Sequence, residues 1–117
     1  MIYKNKQMSK LIESLKIAAI EKNVPLWKRI AVDLEKPTRN RREVNVFKIE
    51  KFARDGEIIV VPGKVLGSGA LSKKVTVAAL SFSDSARDKI KSIHGETLSI
   101  AELLEKNPQG SKVRIMG

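Results

Sequence analysis

From Glu57 to Phe82 the chain reads E-I-I-V-V-P-G-K-V-L-G-S-G-A-L-S-K-K-V-T-V-A-A-L-S-F. Its two ends, Glu57 to Val61 and Val75 to Phe82, are β-branched and apolar runs, and they read as strands with little exposed face. The middle is of a different kind: Val61 to Lys74 holds three of the seven glycines and three lysines. Pro62-Gly63 fits the centre of a type II turn, whose third position takes positive φ, and Gly67-Ser68-Gly69 lets backbone pass close to another surface. Composition leaves two readings of this segment open. It is either a hairpin-like connection that needs its glycines, or a loop offering N–H groups with Lys64, Lys73 and Lys74 to phosphates.

Helical patterns flank these strands and set the class as α/β. Upstream, Leu11, Ile12, Leu15, Ala19 and Ile20 recur at three- and four-residue spacing, followed by Leu26, Trp27, Ile30, Ala31 and Leu34. Two amphipathic helices are expected to pair as an N-terminal hairpin, with Ser9 capping the first and Asn23 with Pro25 opening the second. A third short helix is expected from Asn45 through Ala53, with Val46, Ile49 and Ala53 on one face, Phe47 and Phe52 alongside, and a stop at Asp55-Gly56. Downstream, Ser83-Asp84-Ser85 offers N-cap oxygens to a helix through Ala86, Ile90 and Ile93 that Gly95 closes. Ser99 and Glu102 form a capping-box pair before Ile100, Leu103 and Leu104, and Asn107-Pro108 ends that helix. Val113 and Ile115 fit a short last strand. No sequence repeat stands out.

The 117 residues carry 23 Lys+Arg against 13 Asp+Glu, a net charge of +10. This amount of chain suits one domain, with residues 1–42 as a basic helical region and arginine loop and residues 43–117 as an α/β body. Eleven basic and four acidic residues fall in residues 1–42, so +7 of the excess sits there. It peaks in Lys36-Pro37-Thr38-Arg39-Asn40-Arg41-Arg42, which reads as a loop because Pro37 stops a preceding helix. Guanidinium groups hold phosphate bidentately, which makes Arg39, Arg41 and Arg42 the first candidates for contact with a polyanion.

Other chemistries find little support. With no cysteine there is no thiolate metal site, disulfide or Cys nucleophile. His94 is the one imidazole, placed at a helix end where it suits the helix dipole. Gly67-Ser68-Gly69 lacks the third glycine of a dinucleotide fingerprint, and Gly63-Lys64 is followed by Val65 instead of Ser or Thr. No catalytic residue, metal, cofactor or small-molecule substrate is therefore expected. No apolar run approaches the ~20 residues of a membrane span, so no membrane partner is expected either. Trp27, Phe47, Phe52 and Phe82 lie on apolar faces and are expected in the core. That favours recognition of folded RNA by backbone and shape over base stacking.

The run Val61-Pro62-Gly63-Lys64-Val65-Leu66-Gly67-Ser68-Gly69, continued by Lys74-Val75-Thr76-Val77-Ala78-Ala79 and by Phe82-Ser83, closely resembles the signature region of the large-subunit ribosomal protein eighteen-e family of archaea and eukaryotes. The resemblance extends over essentially the whole chain, including Thr38-Arg39-Asn40-Arg41-Arg42 followed by Val44-Asn45-Val46. A length of 117 residues is similar to that of the archaeal members. The resemblance implies a fold shared with bacterial ribosomal protein fifteen, an irregular strand-strand-helix superhelical body, here with the N-terminal hairpin. It also implies a non-catalytic cytoplasmic constituent of the ribosome, with large-subunit ribosomal RNA and neighbouring ribosomal proteins as partners. RNA contacts are expected first at Arg39, Arg41 and Arg42, then at Lys64, Lys73 and Lys74, then at Lys28, Arg29, Lys4 and Lys6. Gly63, Gly67 and Gly69 are expected to shape the backbone beside RNA. The alternative is a protein-interaction module using the helical hairpin, its charge serving solubility; exposed apolar residues on the hairpin would favour it.

Overall fold

The computed structural model describes residues 6–36, 42–54 and 56–116. The chain opens with α1 (Lys6–Glu21) and α2 (Pro25–Glu35), continues through β1 (Arg42–Asn45), α3 (Val46–Phe52), β2 (Ile58–Leu66), β3 (Thr76–Phe82) and α4 (Asp84–Ser92), and closes with β4 (Glu96–Ser99), α5 (Ile100–Lys106) and β5 (Val113–Ile115). All strand pairs are parallel, in the order β1-β2-β3-β4, with β5 also on β2. The class is α/β with an N-terminal helical hairpin, as the sequence indicates.

Alternation along the central strands divides the core. Ile59, Val61, Val77 and Ala79 point to one face, where they pack with Val46, Ile49, Ala86 and Ile90 of α3 and α4. Val60 and Ala78 point to the other, against Ile12, Leu15, Trp27, Ile30 and Leu34 of the hairpin and Ile100 and Leu103 of α5. A parallel sheet covered on both faces needs nearly continuous apolar strands, which accounts for the Ile58–Val61 and Val75–Ala79 runs. Trp27 is fully buried, and its indole N–H donates to the Pro108 carbonyl at 2.8 Å, satisfying the polar edge of a large apolar ring.

Pro62-Gly63 is not a turn. β2 runs straight through it, and the connection to β3 is a parallel crossover, not a hairpin. The pairing register shifts between Val61 and Lys64. On the other edge of β2, β5 pairs with Ile58 to Val60 while β1 begins opposite Gly63. A proline without an N–H is thus tolerated in a central strand because it sits where one neighbour stops and the next starts. A Cβ on Gly63 would overlap the Arg42 carbonyl, so strand-to-strand approach dictates the glycine.

Several local expectations shift by a few residues. α1 already includes Lys6, which puts Ser9 inside the helix and not at its cap. Val24 precedes Pro25 at the start of α2, while Asn23, with φ of 55°, belongs to the turn between the helices. α3 stops at Phe52, ahead of Asp55-Gly56. Ser83 caps α4, and Ser99 with Glu102 forms the complete capping box of α5. β1 and β4 are short strands that lead directly into α3 and α5, without a loop between.

Candidate nucleic-acid interface

The structure sorts the basic candidates into separate places. Arg42 and Lys64 lie one position out of register on adjacent strands, because β1 pairs with β2 with Arg42 opposite Gly63 and Glu43 opposite Lys64. Both residues are exposed and both line a groove of about 660 Å³. Its other walls are Gln7, Met8 and Leu11 of α1, Ala79 to Ser81 at the end of β3, and Ser99 to Ala101 at the start of α5. Lys6, also exposed, precedes this wall on α1. The groove is thus largely apolar, with Arg42, Glu43 and Lys64 as its charged lining residues.

Lys28 and Arg29 are exposed on the first turn of α2, next to the α1–α2 turn and so at the far end of the hairpin from Lys6. Lys73 and Lys74 lie on the other face of the sheet, in the segment joining β2 to β3. Lys74 is exposed, but the Lys73 ammonium donates to the Ala53 carbonyl at 2.7 Å, capping the end of α3. Lys4, Arg39 and Arg41 lie outside the described residues.

The glycine-rich segment is held along the whole of α3. At the start of the helix the Ser68 amide donates to Asn45 Oδ1 at 3.2 Å and the Phe47 amide to the Ser68 carbonyl at 3.1 Å. Further along, Glu50 accepts from the Ser72 amide and hydroxyl at 3.0 and 2.6 Å and from the Lys73 amide at 3.2 Å. These bonds, led by the Ser72 hydroxyl, hold the Glu50 carboxyl below the usual carboxylate range. From α4, the Lys89 ammonium donates to the carbonyls of Gly67 and Gly69 at 2.5 and 2.6 Å. A Cβ on Gly67 would strike Ser85, and one on Gly69, whose φ is 99°, would strike Phe47. The surfaces that require Gly63, Gly67 and Gly69 are therefore parts of this chain.

The expectation that all four aromatics on apolar faces are core residues fails for two of them. Trp27 is buried and Phe82 partly so, but Phe47 and Phe52 are 52% and 49% exposed. The reason is rotational: Val46, Ile49 and Ala53 already fill the buried stripe of this short helix, and positions 47 and 52 fall outside it. Lys89 and Glu50 carry no motif that singles them out in the sequence, since their partners lie 20 or more residues away. Among the described residues no group of acidic or histidine side chains could hold a metal ion, and no helix is long and apolar enough to cross a membrane.

Residues 7–98 match the family that groups ribosomal proteins fifteen and eighteen-e of the 50S subunit with protein twenty-seven-A of the 60S subunit. The chain belongs to this family. Among its relatives is the large ribosomal subunit protein eL18 of Archaeoglobus fulgidus, 50% identical over 112 residues that span 96% of each chain. The eL18 proteins of Haloarcula marismortui, 48% identical over 96% of each chain, and of Methanococcus maripaludis, 46% identical over 96% of this chain and 93% of its own, are similar. Membership of this ribosomal family assigns the chain a structural role in the large ribosomal subunit, in the cytoplasm, as the sequence resemblance implied.

Proposed function

We propose that this chain binds and stabilises folded ribosomal RNA through its basic N-terminal region, with Arg42 and Lys64 at the groove as the central contacts. The observation that carries this reading is that Arg42 and Lys64, distant in sequence, stand on adjacent strands and both line the groove beside the start of α1. Lys6, at the start of α1, extends the same basic surface, and Arg39, Arg41 and Lys4 remain candidate contacts by residue type alone. Lys28 and Arg29 would meet a second stretch of backbone, and Lys74 a third. Lys73 is better assigned to holding α3. Cationic side chains spread over a rigid body suit recognition of a folded polyanion by position and shape.

Binding of this kind releases counterions, so affinity for large-subunit ribosomal RNA falls steeply with salt. Replacing both Arg42 and Lys64 with Ala should lower the log–log salt slope by about two. A filter-binding titration across salt concentrations measures this, and an unchanged slope would move the contacts off the groove.

A second reading, contact with a neighbouring ribosomal protein through the hairpin, is favoured by one observation. Ile20 is 82% exposed and Ile17, one turn before it, 48%. An Ile20→Lys variant that keeps its RNA affinity but is recovered in smaller amounts with large subunits would support this second contact. Full recovery would remove it.

A further inference from the structure

α3 and α5 follow the same plan, and that makes the exposed rings of α3 conspicuous. At the places of Phe47 and Phe52 in α3, α5 carries Ala101 and Lys106, and all four positions are exposed. The fold therefore does not require an aromatic at either place. Phe52 already has a partner, since the Lys51 ammonium stands 5.4 Å from its ring centroid. Phe47 differs, with its Cβ packed beside Gly69 and its side chain next to the exposed loop tip Ser68-Gly69-Ala70.

The ground around Phe47 is cationic and already ordered. The single carboxylate of α3, Glu50, is engaged by Ser72 and Lys73, leaving Lys48 and Lys51 as the other charged side chains of the helix. Asn45, Glu50 and Lys89 fix the loop, so a ligand meets a preformed platform and little ordering cost. A flat, half-exposed apolar ring on a lysine-bearing helix complements a flat base attached to an anionic backbone.

We infer that Phe47, with the Ser68–Ala70 tip, forms a stacking site for an unpaired base of ribosomal RNA. This rests on the proposed RNA binding but lies on the opposite face of the sheet from the Arg42–Lys64 groove. Recognition by backbone and shape, which the sequence favours over stacking, would be extended by one sequence-tolerant stacking contact.

Fluorescence anisotropy with the full chain separates the two ideas, using fluorescein-labelled octauridylate and a blunt RNA duplex of sixteen base pairs as probes. Phe47→Leu should weaken octauridylate binding about 5- to 100-fold. Its duplex affinity, salt slope and melting temperature should stay those of the parent, and Phe47→Trp should restore single-strand binding. Parental octauridylate affinity in Phe47→Leu, alongside intact duplex binding, overturns the stacking site alone. So does an equal loss on both probes, which would make the ring a structural support, or reduced recovery with large subunits at unchanged octauridylate affinity, which would make the occupant a protein. A parent chain that binds neither probe at low salt overturns RNA binding itself, and the stacking site with it.

Discussion

β1–α3 and β4–α5 are the same device built twice. In each, a four-residue strand runs directly into a seven-residue helix, and the last strand residue, Asn45 or Ser99, occupies the N-cap. Buried residues fall at matching places: Val44, Val46 and Ile49 in one, Leu98, Ile100 and Leu103 in the other. The two units sit at opposite edges of the β1–β4 sheet and bury their helices on opposite faces. No residue is identical between Arg42–Phe52 and Glu96–Lys106 in this alignment. Apolar size at three positions and a cap-forming residue suffice for the local fold, and everything facing water is free to differ. α3 uses that freedom for Phe47, Lys48, Lys51 and Phe52; α5 has Ala101, Glu102, Glu105 and Lys106 at the same places.

The equivalence is most severely tested in the core. Ile49 and Leu103 are both essentially fully buried, so replacing either with Ala should cost about 2–5 kcal/mol from lost burial and the cavity left behind. Urea denaturation of the two variants gives the comparison directly. If one site loses less than about 1 kcal/mol, its helix can collapse onto the sheet where the other cannot, and the units are not energetically alike.

The caps should separate the units. The Ser99 hydroxyl accepts from the Glu102 amide at 3.0 Å and the Glu102 carboxylate accepts from the Ser99 amide at 2.9 Å, so Ser99→Ala should cost about 0.5–2 kcal/mol. Asn45 makes no side-chain cap; its oxygen holds the Ser68 amide of the glycine-rich segment. Asn45→Ala should cost about 0.5–1.5 kcal/mol, with faster hydrogen exchange at Ser68 as its signature. If exchange instead quickens along α3 itself, Asn45 is a helix cap after all.

Acid should act on both units, with different local results. Hydrogen bonds lower the Glu50 and Glu102 carboxyls in the folded chain, the Ser72 hydroxyl leading at Glu50 and the Ser99 amide at Glu102. Because the folded value is depressed, each contribution is complete above the unfolded value near about 4.3 and is lost as pH falls through the folded one. Below about pH 4, amide exchange should rise at Ser72 and Lys73 beside α3, and at the first turn of α5. Glu50→Gln should abolish the pH dependence at Ser72 while leaving that of α5 intact. A persisting response at Ser72 would assign it to another carboxylate.

How much of this was legible in the sequence depends on the range of the interaction. The α5 capping box, the Ser83 cap and the Pro25 start are local patterns, and the sequence reveals them because each is completed within a few residues. β1 and β4 are too short to show alternation, and their edges are defined by pairing with β2 and β3, so four residues gave no signal. Pro62-Gly63 has turn chemistry, yet tertiary pairing on both sides of β2 overrides it. At the candidate interface, the basic residues were visible as types, but only the β1–β2 register sets Arg42 on the strand next to that of Lys64. The same register-level information separates Lys73, which closes α3, from Lys74, which is exposed, although the two are neighbours in the chain.

The smallest expected effect is the one that defines the difference between α3 and α5. Phe47→Ala gives α3 the residue that α5 carries at Ala101. The half-exposed ring contributes on the order of 1 kcal/mol of burial, half of what a fully buried Phe contributes. Alanine keeps the Cβ that packs beside Gly69, and its better helix propensity returns about 0.5 kcal/mol. The net loss should be about 0.5 kcal/mol, measurable as a small shift in the urea midpoint with an unchanged slope. A loss above about 2 kcal/mol would reach the range of a core truncation. The ring would then be holding the loop against α3, and the contrast between the two helices would belong to the fold, not to the surface each presents.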